Sequence, residues 1–262
     1  MTNERDARPS AESLLRDLGH TAQLTVYLAA APGAGKTRRL LQEARAVQAA
    51  GRNVAIGAVA AKERPDLDDL ARGIPVVPPR EAVIGQATFA EFDFDEAVRL
   101  RPELIVLDEL AHTNLSGSTH AKRWQDALAL REAGISVIGA LNIAHLESVA
   151  PIAESLIGYP IREIVPLSFL RAVDRVVAMD VSPEVLIRRL HDGKIVRRED
   201  VERAERGVFS PQTLRVLREL LFRTVDDLTV PVVASHQRST ATVIAAPGHD
   251  LGAFVKRSAA LA

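Results

Sequence analysis

Leu24-Thr25-Val26-Tyr27-Leu28-Ala29-Ala30-Ala31-Pro32-Gly33-Ala34-Gly35-Lys36-Thr37 decides the fold of this chain. The first seven residues are a short β-rich apolar run, the mark of a buried strand, and the run empties into a tight loop punctuated by Pro32, Gly33 and Gly35. Residues 36–50 then carry Leu40, Leu41, Ala44 and Val47 at helical spacing and stop at Gly51, a natural C-cap. Strand, glycine loop and helix follow in that order.

Residues 30–37 fit the Walker A phosphate-loop pattern once small Ala30 is accepted where that pattern usually has Gly. Gly33 and Gly35 permit backbone conformations that aim successive N–H groups into a nest of phosphate size, and the helix adds the positive end of its dipole. Ala31, Pro32, Gly33, Ala34, Gly35, Lys36 and Thr37 are therefore the expected nucleotide-binding residues. Lys36 would reach the β- and γ-phosphates of ATP, and the Thr37 hydroxyl would ligate Mg²⁺. The match leaves an unliganded glycine-rich turn little room as an alternative.

Outward from this point the same alternation repeats. Residues 53–60 read as a strand, 65–72 as a helix, 74–77 as a brief strand, 94–100 as a helix, 103–108 as an apolar strand, 124–133 as a helix and 135–141 as another apolar strand. Near-continuous apolar strands separated by helices imply a mostly parallel sheet covered on both faces, a three-layer α/β fold. Further on, 161–165 and 175–179 read as strands, and 183–191, 199–207 and 211–225 as helices. The last two helices are charged and amphipathic, suited to packing on the main body or on a partner. A Pro- and Ser-containing linker after Thr229 leads to a strand at 241–246 and a helix at 250–261, too little to bury a core of its own. The expected organisation is an arm at 1–20, the α/β domain at 21–228 and the start of a further unit at 229–262.

A Walker B site needs an apolar strand ending in an acid beside the phosphate loop, and Leu104-Ile105-Val106-Leu107-Asp108 supplies one. Asp108 is the expected Mg²⁺ residue, acting through water. Glu109 follows directly and is the candidate to polarise an attacking water, with capping or salt bridging as its plainer alternative. The polar loop 110–120 comes next at the carboxyl edge of a central strand, where open α/β sheets bind ligands. His112 and Thr113 are its candidates to read the third phosphate, with Asn114 beside them, and Asn142, which ends the next strand, is a candidate to touch the same phosphate. His145 and Glu147 look like helix-start residues. Seven His without Cys or paired spacing make no metal-site case beyond nucleotide-linked Mg²⁺.

Composition removes other classes. Thirty-three Lys and Arg against thirty-four Asp and Glu leave a net charge of −1, so no bulk field points to nucleic acid or an anionic membrane. The absence of Cys excludes a disulfide framework, a thiolate metal site and a cysteine nucleophile, and suits a cytoplasmic address. No run is long and apolar enough for a membrane span, and the first twenty residues are unlike a signal peptide.

The stretches AAPGAGKT at 30–37, LIVLDELAHTN at 104–114, KRWQDA at 122–127 and LNIAHLES at 141–148 resemble the N-terminal cytoplasmic domain of the KdpD family, osmosensitive potassium-channel sensor histidine kinases. So do VDRVVAMDVSPEVLIRRLHDGKI and TLRVLRELLFRT, which extends the likeness over roughly residues 20–228. Residues 241–262 are similar to the first strand and helix of the universal-stress-like domain that follows in longer members. The resemblance implies an ATP-binding regulatory domain of a two-component system controlling potassium uptake. Its implied partners are the sensor kinase core and the response regulator. Full members have four membrane helices, a phosphoacceptor-histidine helix and a kinase ATP lid, none of which stands in these 262 residues, so autophosphorylation by this chain is not expected. The chain therefore reads as a short natural member or an excised sensor domain. Where the family has an acidic and then a His-Gly-Arg stretch after the second strand, this chain reads AAKER at 60–64, which sets nucleotide sensing by binding alone against weak ATP hydrolysis. Two readings of other classes stand beside it: a stand-alone P-loop NTPase or small-molecule phosphotransferase, and a nucleotide-independent scaffold. Oligomeric state has no signal in the sequence.

Overall fold

Six residues that are apolar or can hide their polar atoms make β1, Leu24–Ala29, buried along its whole length, and the rest of the molecule is layered around it. The computed structural model describes residues 21–59, 65–84, 86–229 and 240–245. The arm at 1–20, the departing stretch 60–64 and the expected helix 250–261 lie outside the described residues.

From β1 the chain enters α1, Lys36–Ala49, then β2, Val54–Ala58, α2, Pro65–Ala71, and an antiparallel hairpin of β3, Arg80–Ile84, and β4, Ala87–Glu91. It continues through α3, Phe94–Leu100, β5, Leu104–Leu107, α4, Arg123–Glu132, and β6, Ser136–Asn142. Beyond a 3₁₀ turn at Ile143–His145 come α5, Ala150–Ile157, α6, Leu167–Ala172, and β7, Arg175–Asp180. The last elements are α7, Pro183–His191, α8, Val201–Arg206, α9, Pro211–Thr229, and β8, Thr240–Ala245.

β1, β2, β5, β6, β7 and β8 form one sheet in the order β2-β5-β6-β1-β7-β8, with every neighbouring pair parallel. Side chains alternate across β1 with the period of two that a strand imposes. Leu24, Val26 and Leu28 join Ala127 and Leu130 of α4 and Leu217, Leu221 and Val225 of α9 on one face. Tyr27 joins Leu40, Leu41, Ala44 and Val47 of α1 and Leu67 of α2 on the other. The fold is the expected three-layer α/β sandwich, and each fully buried Leu contributes about 1.5–3 kcal/mol to it.

β1 sends its chain toward β2, whereas its neighbour β7 sends its chain toward β8. Connections that diverge from adjacent parallel strands open a crevice at their carboxyl ends, and the glycine loop lies at that edge.

Three local readings change. Residues 74–77 make only a single parallel bridge, Ile56 to Val76, because Pro75, Pro78 and Pro79 lack the N–H groups a longer ladder needs. Residues 161–165 form no strand; Val165 makes one isolated bridge with Leu146, and the Ile161 N–H is taken by the Glu154 carboxylate at 2.7 Å. The hairpin β3–β4 and helix α6 have no counterpart in the expected elements, while the helix start read at His145 and Glu147 falls later, at Ala150 of α5. At the far end, the strand expected at 241–246 begins one residue earlier and pairs with β7 on the main sheet.

Gly139 in β6 shows how tightly the sheet is fitted under the loop that follows β5. A Cβ there would lie 2.6 Å from Leu110 Cδ1 and 3.0 Å from the Leu107 carbonyl oxygen, which is backbone and cannot swing away. Gly139→Ala is expected to lower stability by about 1–3 kcal/mol. The measurement is urea unfolding, with the midpoint falling and the denaturant slope unchanged.

Candidate functional site

The loop between β1 and α1 turns on two residues in the left-handed region, Gly33 at φ 82° and Gly35 at φ 92°. Gly35 is the N-cap of α1, makes no side-chain cap, and no acidic residue stands in the first turn. By contrast α3 is capped by Asp93, whose side chain accepts from the Glu96 N–H, and carries Asp95 and Glu96 in its first turn. The first amides of any helix lack intrahelical partners, so α1 presents the positive end of a fourteen-residue helix that carries no acidic residue of its own in the first turn. Tyr27 of β1 anchors the helix by donating its hydroxyl to buried Glu43, which also pairs with Arg39 at 2.6 Å.

Three strands bring polar groups to this helix end. Thr37 Oγ1 donates to Asp108 Oδ2 at 2.6 Å, and Asp108, just past β5 and 4% exposed, also accepts from the Glu109 N–H at 2.9 Å. Lys36 Nζ donates to Asn142 Oδ1, at the end of β6, at 2.5 Å, and lies 3.5 Å from the Ala31 carbonyl. Burial pushes the Lys36 ammonium down to about 8, against the opposing pull of Asp108 and Glu109. Lys36, Thr37, Asp108 and Asn142 thus converge at one point. The donor set suits a magnesium-bound polyphosphate: main-chain amides and an ammonium for the anion, a hydroxyl and a carboxylate for a hard cation. Among the described residues no cluster of three or more His, Asp or Glu is arranged to hold a metal by itself.

Glu109 adopts φ 53°, rare for a residue with a side chain, and this turns the chain so that the Leu110 N–H reaches the Ala140 carbonyl of β6 at 2.9 Å. Its carboxyl is raised above the ordinary range, first by partial withdrawal from solvent and then by the Asp108 charge. His112 and Thr113 make their contacts with side chains from outside the loop 110–120. His112 Nε2 lies 2.9 Å from Glu91 Oε2, and the Thr113 N–H donates to Glu163 at 2.8 Å while its hydroxyl accepts from Lys122 Nζ at 2.5 Å.

The residues that hold this loop were not legible in the sequence. Glu91 ends the hairpin, is 3% exposed, and accepts from the Phe92 N–H, the Leu115 N–H and Arg123 Nη2 besides facing His112. Arg123 also donates to the Asp108 carbonyl at 3.2 Å, tying the grip to the end of β5. A second buried acid, Asp126, takes Asn114 Nδ2 at 2.6 Å and faces His120 Nδ1 at 2.8 Å, and His120 stands edge-on to Phe94. Glu91 has no motif around it, and although Asp126 lies within KRWQDA at 122–127, the partners of both carboxylates arrive from other elements.

The geometry described covers the span matched by a family model, the osmosensitive K⁺ channel His kinase sensor domain of KdpD, which runs over residues 20–229. The chain belongs to this KdpD family. It is 38% identical over 227 residues to the sensor protein KdpD of Escherichia coli (strain K12), covering 86% of this chain and 25% of that protein. Against the sensor protein KdpD of Mycobacterium tuberculosis (strain ATCC 25618 / H37Rv) it is 39% identical over 198 residues, 76% of this chain and 23% of the relative. Against the putative sensor protein KdpD of Synechocystis sp. (strain ATCC 27184 / PCC 6803 / Kazusa) it is 37% identical over 200 residues, 76% and 54%. The aligned part is thus about a quarter of the length of the first two KdpD relatives. No helix among the described residues is long and apolar enough to cross a membrane.

Glu91 gives this KdpD-family domain a measurable acid sensitivity. Burial would raise its carboxyl, but the hydrogen bonds from His112, Phe92 and Leu115 overcome that and hold it at about 2 against an ordinary 4.5. A folded-state value below the unfolded one stabilises the protein above pH 4.5, and that contribution is lost as pH falls from 4.5 toward 2. The amount is on the order of 3 kcal/mol. Glu91→Gln leaves Arg123 facing a neutral group, so it should be less stable at pH 7 by roughly 2–4 kcal/mol, and the gap from the parent should close as pH falls to 2. Denaturant unfolding across that range checks it.

Proposed function

We propose that this chain is an Mg²⁺-ATP-binding regulatory domain of a KdpD-type two-component system that controls potassium uptake. The observation that carries the reading is the convergence of Lys36, Thr37, Asp108 and Asn142 on the uncapped N-terminus of α1. The loop from Ala31 to Thr37 would hold the phosphates through its main-chain N–H groups, of which Pro32 has none, Lys36 would leave Asn142 for the β- and γ-oxygens, and Thr37 with Asp108 would hold Mg²⁺, Asp108 through water. Magnesium supplies charge neutralisation on the phosphate oxygens when bound. Asn142, freed from Lys36, and the loop carrying His112 and Thr113 are the groups that would distinguish the third phosphate. The partners this family membership supports are the kinase core and response regulator of the same system, with the domain working in the cytoplasm.

A second reading, phosphoryl transfer to water, is favoured by one observation. Glu109 follows Asp108 directly and its carboxyl is raised above the ordinary range, which suits a general base. Weak ATP hydrolysis abolished by Glu109→Gln with nucleotide affinity retained would support it; binding with no turnover would leave a pure sensor.

Calorimetry tests the main reading. Mg²⁺-ATP should bind the parent chain, Lys36→Ala should lose at least tenfold in affinity, and Asp108→Asn should lose the advantage that Mg²⁺ confers. Equal affinity for ATP in the parent and in Lys36→Ala would overturn the reading.

The depressed Lys36 value adds a pH dependence. The unliganded protein loses the Lys36 proton near pH 8, while a bound triphosphate demands the charged form. Affinity for Mg²⁺-ATP should therefore be flat below pH 8 and fall toward a limit of about tenfold per unit above it. Binding at pH 9 should take up a proton, read as a dependence of the measured enthalpy on the ionisation enthalpy of the buffer. For stability the sign is opposite: the folded chain binds fewer protons than the unfolded one between about 8 and 10.5, so this group makes the unliganded protein more stable as pH rises through that window.

A further inference from the structure

The outer side of the glycine loop is gripped by a part of the chain more than 150 residues away. Arg189, in the last turn of α7, donates from Nη1 to the Gly33 carbonyl at 2.6 Å. Ile195, in the connection from α7 to α8, packs on the Gly33 Cα, so closely that a Cβ there would collide with it. Beneath the loop, Ala29, Ala31 and Ala34 share one apolar cluster with Leu186, Leu190 and Phe209. The small side chains that the loop needs for phosphate approach are thus also the floor on which α7 and the residues before α9 rest.

These contacts extend to the end of the sheet. Arg218 of α9 closes a two-point pair with Asp180 at the tip of β7, with both bonds at 2.6 Å, and His191 of α7 lies 3.1 Å from Glu205 of α8. Since β7 is the parallel neighbour of β1, α7 starts at the same edge as the glycine loop, and the helices behind it are fastened to that edge.

Resting on the nucleotide reading above, we propose that Arg189 and Ile195 are positioning residues that hold Gly33 in its left-handed conformation from outside, so that seating a polyphosphate in the loop and packing of α7, α8 and α9 are linked. The physical basis is the shape of the nest. Gly33 contributes both the N–H that faces a phosphate and the carbonyl that Arg189 holds, and a shift of either peptide plane moves the other. Linkage is reciprocal: whatever these helices contribute to nucleotide affinity, the nucleotide contributes to their packing.

The test uses the full chain, Mg²⁺-ATP, and inorganic triphosphate as a probe without base or ribose. Arg189→Ala and Ile195→Ala should each weaken both ligands by roughly five- to thirtyfold. Arg189→Lys, which keeps a donor and the stem, should recover part of the loss. Amide hydrogen exchange on the parent should slow in residues 189–197 and in α9 when Mg²⁺-ATP is added, and the slowing should vanish in Ile195→Ala. Unchanged affinity in folded variants, or unchanged exchange in the parent, overturns the clamp. A loss for ATP with none for triphosphate assigns Arg189 to the ribose or base and overturns it too. If Arg189→Ala does not fold, Arg189→Gln takes its place, and parental affinity in that variant is the overturning result. Failure of the parent itself to bind either ligand sinks the nucleotide reading and the clamp together, whereas a binding parent with indifferent variants sinks the clamp alone.

Discussion

A hydrogen bond from Thr37 to Asp108 joins the first turn of α1 to a strand two places away in the sheet, and the candidate site depends on that reach. It is possible because β6 lies between β1 and β5 with all three ending at the same edge. The parallel order makes the three strand ends a row: glycine loop, Asn142, Asp108. Lys36 bonds to the middle member of the row and Thr37 to the far one. An antiparallel neighbour would have put one of these ends on the opposite side of the molecule, so the sheet's direction and the site's chemistry are one constraint.

The second constraint is electrostatic. A loop of hydroxyl and amide side chains following Asp108 has little apolar surface to hold it, and buried charge does the holding. Glu91 is reached by two backbone amides and the Arg123 guanidinium, and Arg123 in turn reaches back to the Asp108 carbonyl. Removing one member of such a group leaves its partner charged and dehydrated, which is why the hairpin β3–β4 matters to a site it does not line. Gly139 belongs to the same account, since only a bare Cα lets Leu110 lie over β6.

The strand, loop and helix from Leu24 to Ala49 were legible because each is set by local pattern: apolar run, glycines, 3.6-residue spacing. Asp108 and Asn142 were legible because each ends an apolar strand, a position that parallel sheets turn into an edge. The three-layer architecture followed from those same strands. What escaped notice depends on long-range partners. Glu91 is an isolated acid, Asp126 carried no role although it sits in KRWQDA, and the burial of both is decided by elements arriving from elsewhere. β4 is exposed except at Glu91, so the alternation of a half-buried strand was missing from it. Residues 161–165 have strand composition but make a single bridge, Val165 to Leu146, and composition without a partner edge makes no strand. Arg189 and Ile195 reach a loop more than 150 positions earlier, a relation that no window of sequence contains.

One end of the sheet is β2, and its outer margin is covered in an unusual way. The single bridge from Ile56 to Val76 uses the two main-chain groups of Ile56, and the prolines at 75, 78 and 79 offer no further donors. A foreign strand approaching this margin meets a short segment that is already paired at one point and unable to continue a ladder. The opposite margin is taken by β8, which lies along the full length of β7. The β2 margin, shut in this way, resists pairing with the sheet edge of a second copy.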